Sequence, residues 1–244
     1  MLASGILIFA AILLLILIFI RRKSPAVFRS IEAYDRLIRA VGLAVENGKR
    51  LHVSLGRGSL FTSRGGSALA GLAMLRRLTE RTSVSDRPPI VTSGDASLAI
   101  LSQDTLQSGY RAAGAEEQYR VSTGRVTGLT PFSYAAGTLP TIHDEDVSAN
   151  IVIGDLGAES ALLAEASDRE NADLIAASDN LSAQSILYAT SQDPLIGEEL
   201  FAAGAYVGAG ASHEASLQVQ DILRWLVILA ILGGAGLKLV GFNF

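Results

Sequence analysis

The chain has 244 residues, a net charge of −4 and no cysteine, which excludes disulfides, zinc–thiolate sites and thiol catalysis. Its acidic balance, with an isoelectric point near 5.4, argues against a nucleic-acid partner, which would need a basic face. Hydrophobic residues make up 49% of the chain, and much of this excess lies at the two ends, which indicates membrane segments around one domain of ordinary size.

Residues 1–23 are predicted to be a membrane anchor. The stretch Leu2–Ile20 holds no charge and would span roughly 28 Å as a helix, about one hydrocarbon core. The basic run Arg21–Lys23 follows this stretch, whereas a cleaved signal peptide carries its positive charge before the apolar part. We therefore expect a retained helix with its basic end in the cytoplasm. A buried core helix is the alternative interpretation.

Residues 24–48 are predicted to form an amphipathic helix. Ser24 has the properties of an N-cap, Pro25 those of a first helical residue, and Gly48 those of a C-terminal stop. One side of this helix would be an apolar stripe, and another side would be rich in arginine. This pattern suits a juxtamembrane helix on lipid headgroups, and it suits equally a helix packed on a domain.

Residues 49–207 alternate strand and helix patterns about six times and are predicted to form a cytoplasmic α/β domain. Strands are expected near residues 51–55, 90–92, 119–122, 151–153, 172–177 and 194–196. Short connections favour a parallel Rossmann-like or flavodoxin-like sheet with helices on both faces. The segments 151–153 and 174–176 are expected to be central. The alternation at 51–55 predicts a half-exposed strand, and a helix is expected from Gly197 to Tyr206.

The C-terminal part is predicted to be a linker with a helical run-in, residues 208–221, followed by a second transmembrane helix, residues 222–244. Arg224 and Trp225 stand where an interfacial anchor belongs. Lys238 lies near the far end of the segment, where its side chain could reach the outer surface. A functional charge inside the membrane is the alternative for this lysine.

A ligand site is predicted beyond the carboxyl ends of the strands, where parallel sheets bind ligands. Gly56-Arg57-Gly58 begins like a dinucleotide fingerprint, but Phe61 stands where that fingerprint requires glycine or alanine. The candidate residues for a small anion are Arg57, Arg64, Gly154, Asp155, Gly157 and Glu159. Helix capping explains many carboxylates at such positions without any ligand. The sequence predicts no metal site, catalytic residue or cofactor.

Five stretches resemble an uncharacterised family of bacterial membrane proteins, described only as a domain of unknown function. They are residues 50–56, 89–92, 134–137, 150–159 and 196–206. The resemblance extends from about Val27 to the C-terminal segment. It implies an integral membrane protein with a cytoplasmic α/β domain. Because the family has no established activity, the resemblance assigns no catalytic role.

These features together predict a non-enzymatic, membrane-anchored scaffold or sensor that self-associates. Its expected partners are the lipid bilayer and further copies of itself, arranged as a cyclic homo-oligomer, with Ala230, Gly233 and Gly234 allowing close helix contact. The expected location is the cytoplasmic (inner) membrane, with two passes, the soluble domain in the cytoplasm and both termini outside. The alternatives are a nucleotide-like anion-binding module or enzyme, and an accessory subunit of a larger membrane complex.

Overall fold

The computed structural model describes residues 2–62 and 65–239, and the chain divides into two compact units. One unit comprises Arg29–Ala209. The other combines Met1–Phe28 with Gly210–Phe244.

The larger unit contains a six-stranded sheet whose neighbouring strands are all parallel. The strands are β1 (Arg50–Gly56), β2 (Ile90–Ser93), β3 (Gly124–Val126), β4 (Val147–Asp155), β5 (Asp173–Ser178) and β6 (Leu195–Ile196). Their order is β3-β2-β1-β4-β5-β6, so the chain builds outward from β1 in one direction and then from β4 in the other. This is the doubly wound arrangement, and it confirms the predicted Rossmann-like α/β fold.

Helices cover both faces of this sheet. They are α2 (Glu32–Glu46), α3 (Gly65–Thr82), α4 (Ala96–Ala112), α5 (Pro131–Asp144), α6 (Ser160–Arg169), α7 (Leu181–Thr190) and the short α8 (Ala203–Tyr206). Tyr134 of α5, Leu163 of α6 and Leu187 of α7 share one buried cluster with Val152 of β4. Successive strand residues point to opposite faces, and Ile153 accordingly meets α3 on the other side.

Strand β1 corrects two of the predictions. Every residue of β1 after Arg50 is buried, so the prediction of a half-exposed strand is wrong. The alternating polar residues His52 and Ser54 bond to other buried side chains instead of to water. The two central strands are β1 and β4, and only β4 was predicted to be central. Strand β5, which was also expected at the centre, is the second strand from the edge.

Helix α2 begins later than predicted. Ile31 is its N-cap residue, so the predicted start at Ser24 and Pro25 is wrong. Its end is confirmed, because Asn47 is the C-cap and Gly48 adopts a left-handed φ of 61°. The apolar face of α2 is buried within its unit, with Leu37 fully inaccessible, which favours the packed helix over one lying on lipid.

The segment before β3 also differs from the prediction. A strand was expected at residues 119–122, but the structure has two 3₁₀ turns, Glu116–Gln118 and Val121–Thr123. The Thr123 hydroxyl donates to the Arg120 carbonyl and stabilises the second turn. The helix expected after β6 likewise opens as a 3₁₀ segment, Gly197–Ala202, and becomes α-helical only in α8.

The two ends of the larger unit meet in a group of contacts that we call the terminal clasp. Tyr34 stacks on Tyr206 with ring centroids 4.8 Å apart, and the Tyr206 hydroxyl donates to the Arg29 carbonyl at 2.8 Å. Arg29 pairs with Glu199 at 2.5 Å, and the Tyr34 hydroxyl donates to the Glu199 carbonyl at 2.6 Å. Residues near the start and the end of this unit are thus bonded to each other.

The smaller unit pairs helix α1 (Leu2–Lys23) with helix α9 (Ala211–Leu239). Arg21 Nε donates to Gln218 Oε1 at 2.8 Å, and the Ala26 N–H donates to Glu214 Oε2 at 2.8 Å. The end of α1 therefore lies beside the start of α9, and the two helices run antiparallel. Both are long and apolar enough to cross a membrane, as judged by length and composition. Helix α9 starts inside the predicted linker.

Candidate functional site

The candidate site lies where β1 and β4 end side by side at the centre of the sheet. The connections on the two sides of this point run in opposite directions, which makes it the topological switch point where doubly wound sheets bind ligands. Gly56 ends β1 with a φ of 68°, a conformation that glycine adopts without strain. The Arg57 N–H donates to the Asp155 carbonyl at 2.9 Å, so the two strand ends are bonded directly.

An ion pair that we call the clamp occupies this position. Arg57 Nε lies 2.9 Å from Glu159 Oε1, and the Glu159 side chain is only 2% exposed. Burial alone would raise the pKa of Glu159. Hydrogen bonds from the Gly157 N–H and from the Arg57 guanidinium outweigh burial and hold that pKa below its ordinary value. The carboxylate is therefore ionised at neutral pH and satisfied by groups of the same chain.

The structure brings together all the predicted site residues that it describes. Gly154 lies against the Leu55 carbonyl, Asp155 accepts from Arg57, and Gly157 and Arg57 both contact Glu159. The predicted residue Arg64 lies outside the described residues. These five residues are therefore neighbours, while a ligand site formed by them and anion binding there stay predictions.

Capping explains some of the other carboxylates at the strand ends. Asp95 is the N-cap of α4, and its Oδ1 accepts from the Leu98 N–H at 3.1 Å. At α7 the N-cap is Asn180, which accepts from the Ser182 N–H at 3.1 Å. Glu199 belongs to the terminal clasp.

A second feature, which the sequence did not predict, is a buried chain of hydrogen bonds beneath α5 and α6. We call it the polar chain. Asn150 Nδ2 donates to the Ser167 hydroxyl at 2.8 Å, which turns Asn150 Oδ1 toward His52 Nδ1 at 2.7 Å. His52 Nδ1 is then the donor, and His52 Nε2 accepts from the Thr92 hydroxyl at 2.9 Å.

The polar chain continues to α5. The Tyr134 hydroxyl lies 3.2 Å from the Thr92 hydroxyl and 2.6 Å from that of Ser54. All these side chains are buried, and His52 is fully inaccessible. Burial lowers the pKa of His52 to about 4, against a smaller opposing effect of its bond to Asn150. Its imidazole is therefore neutral over the physiological range and serves as a hydrogen-bonding group.

A family profile matches residues 1–244 from end to end. The chain belongs to the family described as Domain of unknown function (DUF6754). No curated protein and no solved structure matches the chain. Membership in DUF6754 therefore assigns no activity to this α/β protein.

The chemistry open to this DUF6754 site follows from the clamp. A phosphate at a helix N-terminus is normally held by free N–H groups and a nearby cation. Here the Glu159 carboxylate takes the Gly157 N–H and the Arg57 guanidinium, and so stands where such an anion would sit. Within the described residues, no three His, Asp or Glu side chains are grouped so that they could hold a metal ion.

Proposed function

We propose that this DUF6754 protein is a membrane-anchored, self-associating scaffold or sensor without enzymatic activity. The observation that carries the proposal is the clamp. The position at which the fold would take a ligand is filled by Arg57 and by Glu159, whose side chain is 2% exposed. An ion pair that links β1 to β4 favours a rigid domain over a reactive crevice.

The membrane part of the proposal rests on the two apolar helices. We propose two passes through the inner membrane of a bacterium, with the α/β unit in the cytoplasm and both termini outside. The basic run Arg21–Lys23 and Arg224 support this orientation, because cytoplasmic flanks are enriched in Lys and Arg. A reporter that is active only outside the cytoplasm, fused in turn to Met1 and Phe244, should give a signal at both ends. A cytoplasmic signal at either end contradicts the two-pass arrangement.

Self-association is tested by the mass of the particle purified in mild detergent. We expect a discrete cyclic homo-oligomer at micromolar concentration. A stable monomer under these conditions contradicts the scaffold. A second protein present at fixed stoichiometry would instead favour the accessory-subunit alternative.

The second candidate function is a binding module or enzyme for a small anion. It is favoured by the convergence of Arg57, Asp155, Gly157 and Glu159 at the topological switch point. Inorganic phosphate and a nucleoside triphosphate should then raise the melting temperature of the wild-type chain. The matched variant Arg57→Met should abolish that rise. An unchanged melting temperature at millimolar ligand would exclude this function.

A further inference from the structure

A groove of about 450 Å³ separates α5 and α6 on the outside of the larger unit. Its apolar lining comes from Ala136, Leu139, Pro140, Leu162 and Ala166. A concave apolar surface of this volume is typical of a binding site. None of these residues belongs to the clamp or to the polar chain.

Most of the charges around this groove are paired with one another. His143 bonds to Glu170 across the two helices, and Glu165 pairs with Arg169 at 2.6 Å. Asp144 adds one further carboxylate. A strongly charged ligand would have to break these pairs, so the groove favours an uncharged occupant.

One backbone carbonyl of a groove-lining residue lacks its usual helical partner. Pro140 lies inside α5 and has no N–H, so the carbonyl of Ala136, one turn earlier, lacks its usual partner in the helix. Both residues line the groove. The fitting occupant is therefore apolar with a single hydrogen-bond donor.

Helix α7, in the same layer, presents a surface of that kind. Its ten residues include no charged side chain, although charge is the rule on the outer face of a surface helix. Leu181 is 79% exposed and Tyr188 is 69% exposed. They are seven residues apart, which places them on one side of the helix, opposite the buried Ala183 and Leu187.

We propose that α7 of a second copy of this chain docks in the α5–α6 groove, with Tyr188 as the anchor. A tyrosine supplies the apolar ring and the single donor that the groove lacks, and such residues dominate interface energetics. The lengths agree, since the ten residues of α7 extend roughly 15 Å and the nine residues 136–144 extend roughly 14 Å as helices.

The position of these elements allows a two-fold symmetric arrangement. Helices α5, α6 and α7 form one layer, so α7 of each copy can dock in the groove of the other copy, and the same contact is made twice. This inference rests on the proposed self-association and names the surfaces that carry it.

The absence of cysteine from the chain makes a direct test possible. One full-length copy carrying Tyr188→Cys and one tag is mixed with a second copy carrying Ala166→Cys and another tag. Mild oxidation should give a disulfide that joins the two tags. The matched control is Val84→Cys in place of Tyr188→Cys, because Val84 is 78% exposed and lies outside α5, α6 and α7.

The proposal holds if the Tyr188→Cys pair forms at least ten times more mixed disulfide than the Val84→Cys pair. Any smaller ratio between the two yields overturns it. An oligomeric particle without the specific disulfide overturns the proposed docking of α7 but not the proposed self-associating scaffold. A monomeric particle overturns both proposals. The variant Tyr188→Glu should weaken association at least tenfold and leave the melting temperature of the dilute, monomeric protein unchanged, because residue 188 is exposed in the single chain.

Discussion

The clamp and the polar chain are two ways of placing polar groups inside the same sheet. The clamp sits at the strand ends and holds two full charges, one on a side chain that is 24% exposed and one on a side chain that is 2% exposed. The polar chain lies under the helices, is fully buried and carries no charge at neutral pH. Neutral groups can be buried completely when each has a hydrogen-bond partner. A buried charge is stable only if it keeps contact with water or with a charge of opposite sign.

The largest effect should come from removing one half of the clamp. Arg57→Met leaves the Glu159 carboxylate buried without its cation, and we expect a loss of about 3–5 kcal/mol in the free energy of unfolding. Urea unfolding of the full chain in detergent measures this loss. The double variant Arg57→Met/Glu159→Leu removes both charges and should recover most of it. If Arg57→Met were as stable as wild type, the clamp would make no contribution to the free energy of unfolding.

A smaller effect should appear when the polar chain is challenged by acid. Unfolded His52 titrates near pH 6.5, whereas burial holds its folded pKa at about 4. Between these values the unfolded chain binds the extra proton, so stability is complete above pH 6.5 and falls as the pH is lowered, by at most about 3 kcal/mol.

Comparison with His52→Gln isolates this contribution, because the variant lacks the titrating group. The wild type should lose more stability than the variant between pH 6.5 and pH 4.5. Glu159 has a lowered pKa, so its stabilisation is present above its ordinary pKa and is lost only at lower pH. His143 has a raised pKa, and its stabilisation is already complete below pH 6.5. Parallel pH profiles for the two proteins would contradict the prediction.

The smallest effect should follow from opening the polar chain at one link. Tyr134→Phe leaves Ser54 without its hydroxyl partner, and we expect a loss of about 1–2 kcal/mol. The matched control is Tyr119→Phe, which removes the same atom from a ring that is only partly buried, and it should change unfolding by less than about 0.5 kcal/mol. Equal losses in the two variants would mean that burial of the hydroxyl does not matter.

The sequence predicted the repeated strand–turn–helix units because these are local patterns, and residues 150–166 contain one complete unit. It failed where a partner is distant. His52 was assigned to a half-exposed strand because its bond to Asn150 crosses 98 positions of the chain. Short elements failed for another reason, since the strand expected at residues 119–122 is replaced by 3₁₀ turns held by local side-chain bonds.

The candidate site shows the same limit. The rule that parallel strands end at one edge of a sheet predicted that Arg57 lies near Asp155, and the two residues are bonded. The pairing of Arg57 with Glu159 spans 102 positions of the chain and was not predicted.

The terminal clasp gives the larger unit a mechanical property. Because Arg29 and Tyr206 are bonded to each other, a pull on the two flanking segments enters the unit at nearly one point. A load applied there acts first on the Arg29–Glu199 pair and the Tyr34–Tyr206 stack. The parallel ladder of the sheet is loaded only after they part. Tension carried by the chain would thus break contacts of the terminal clasp while β1 and β4 stay paired.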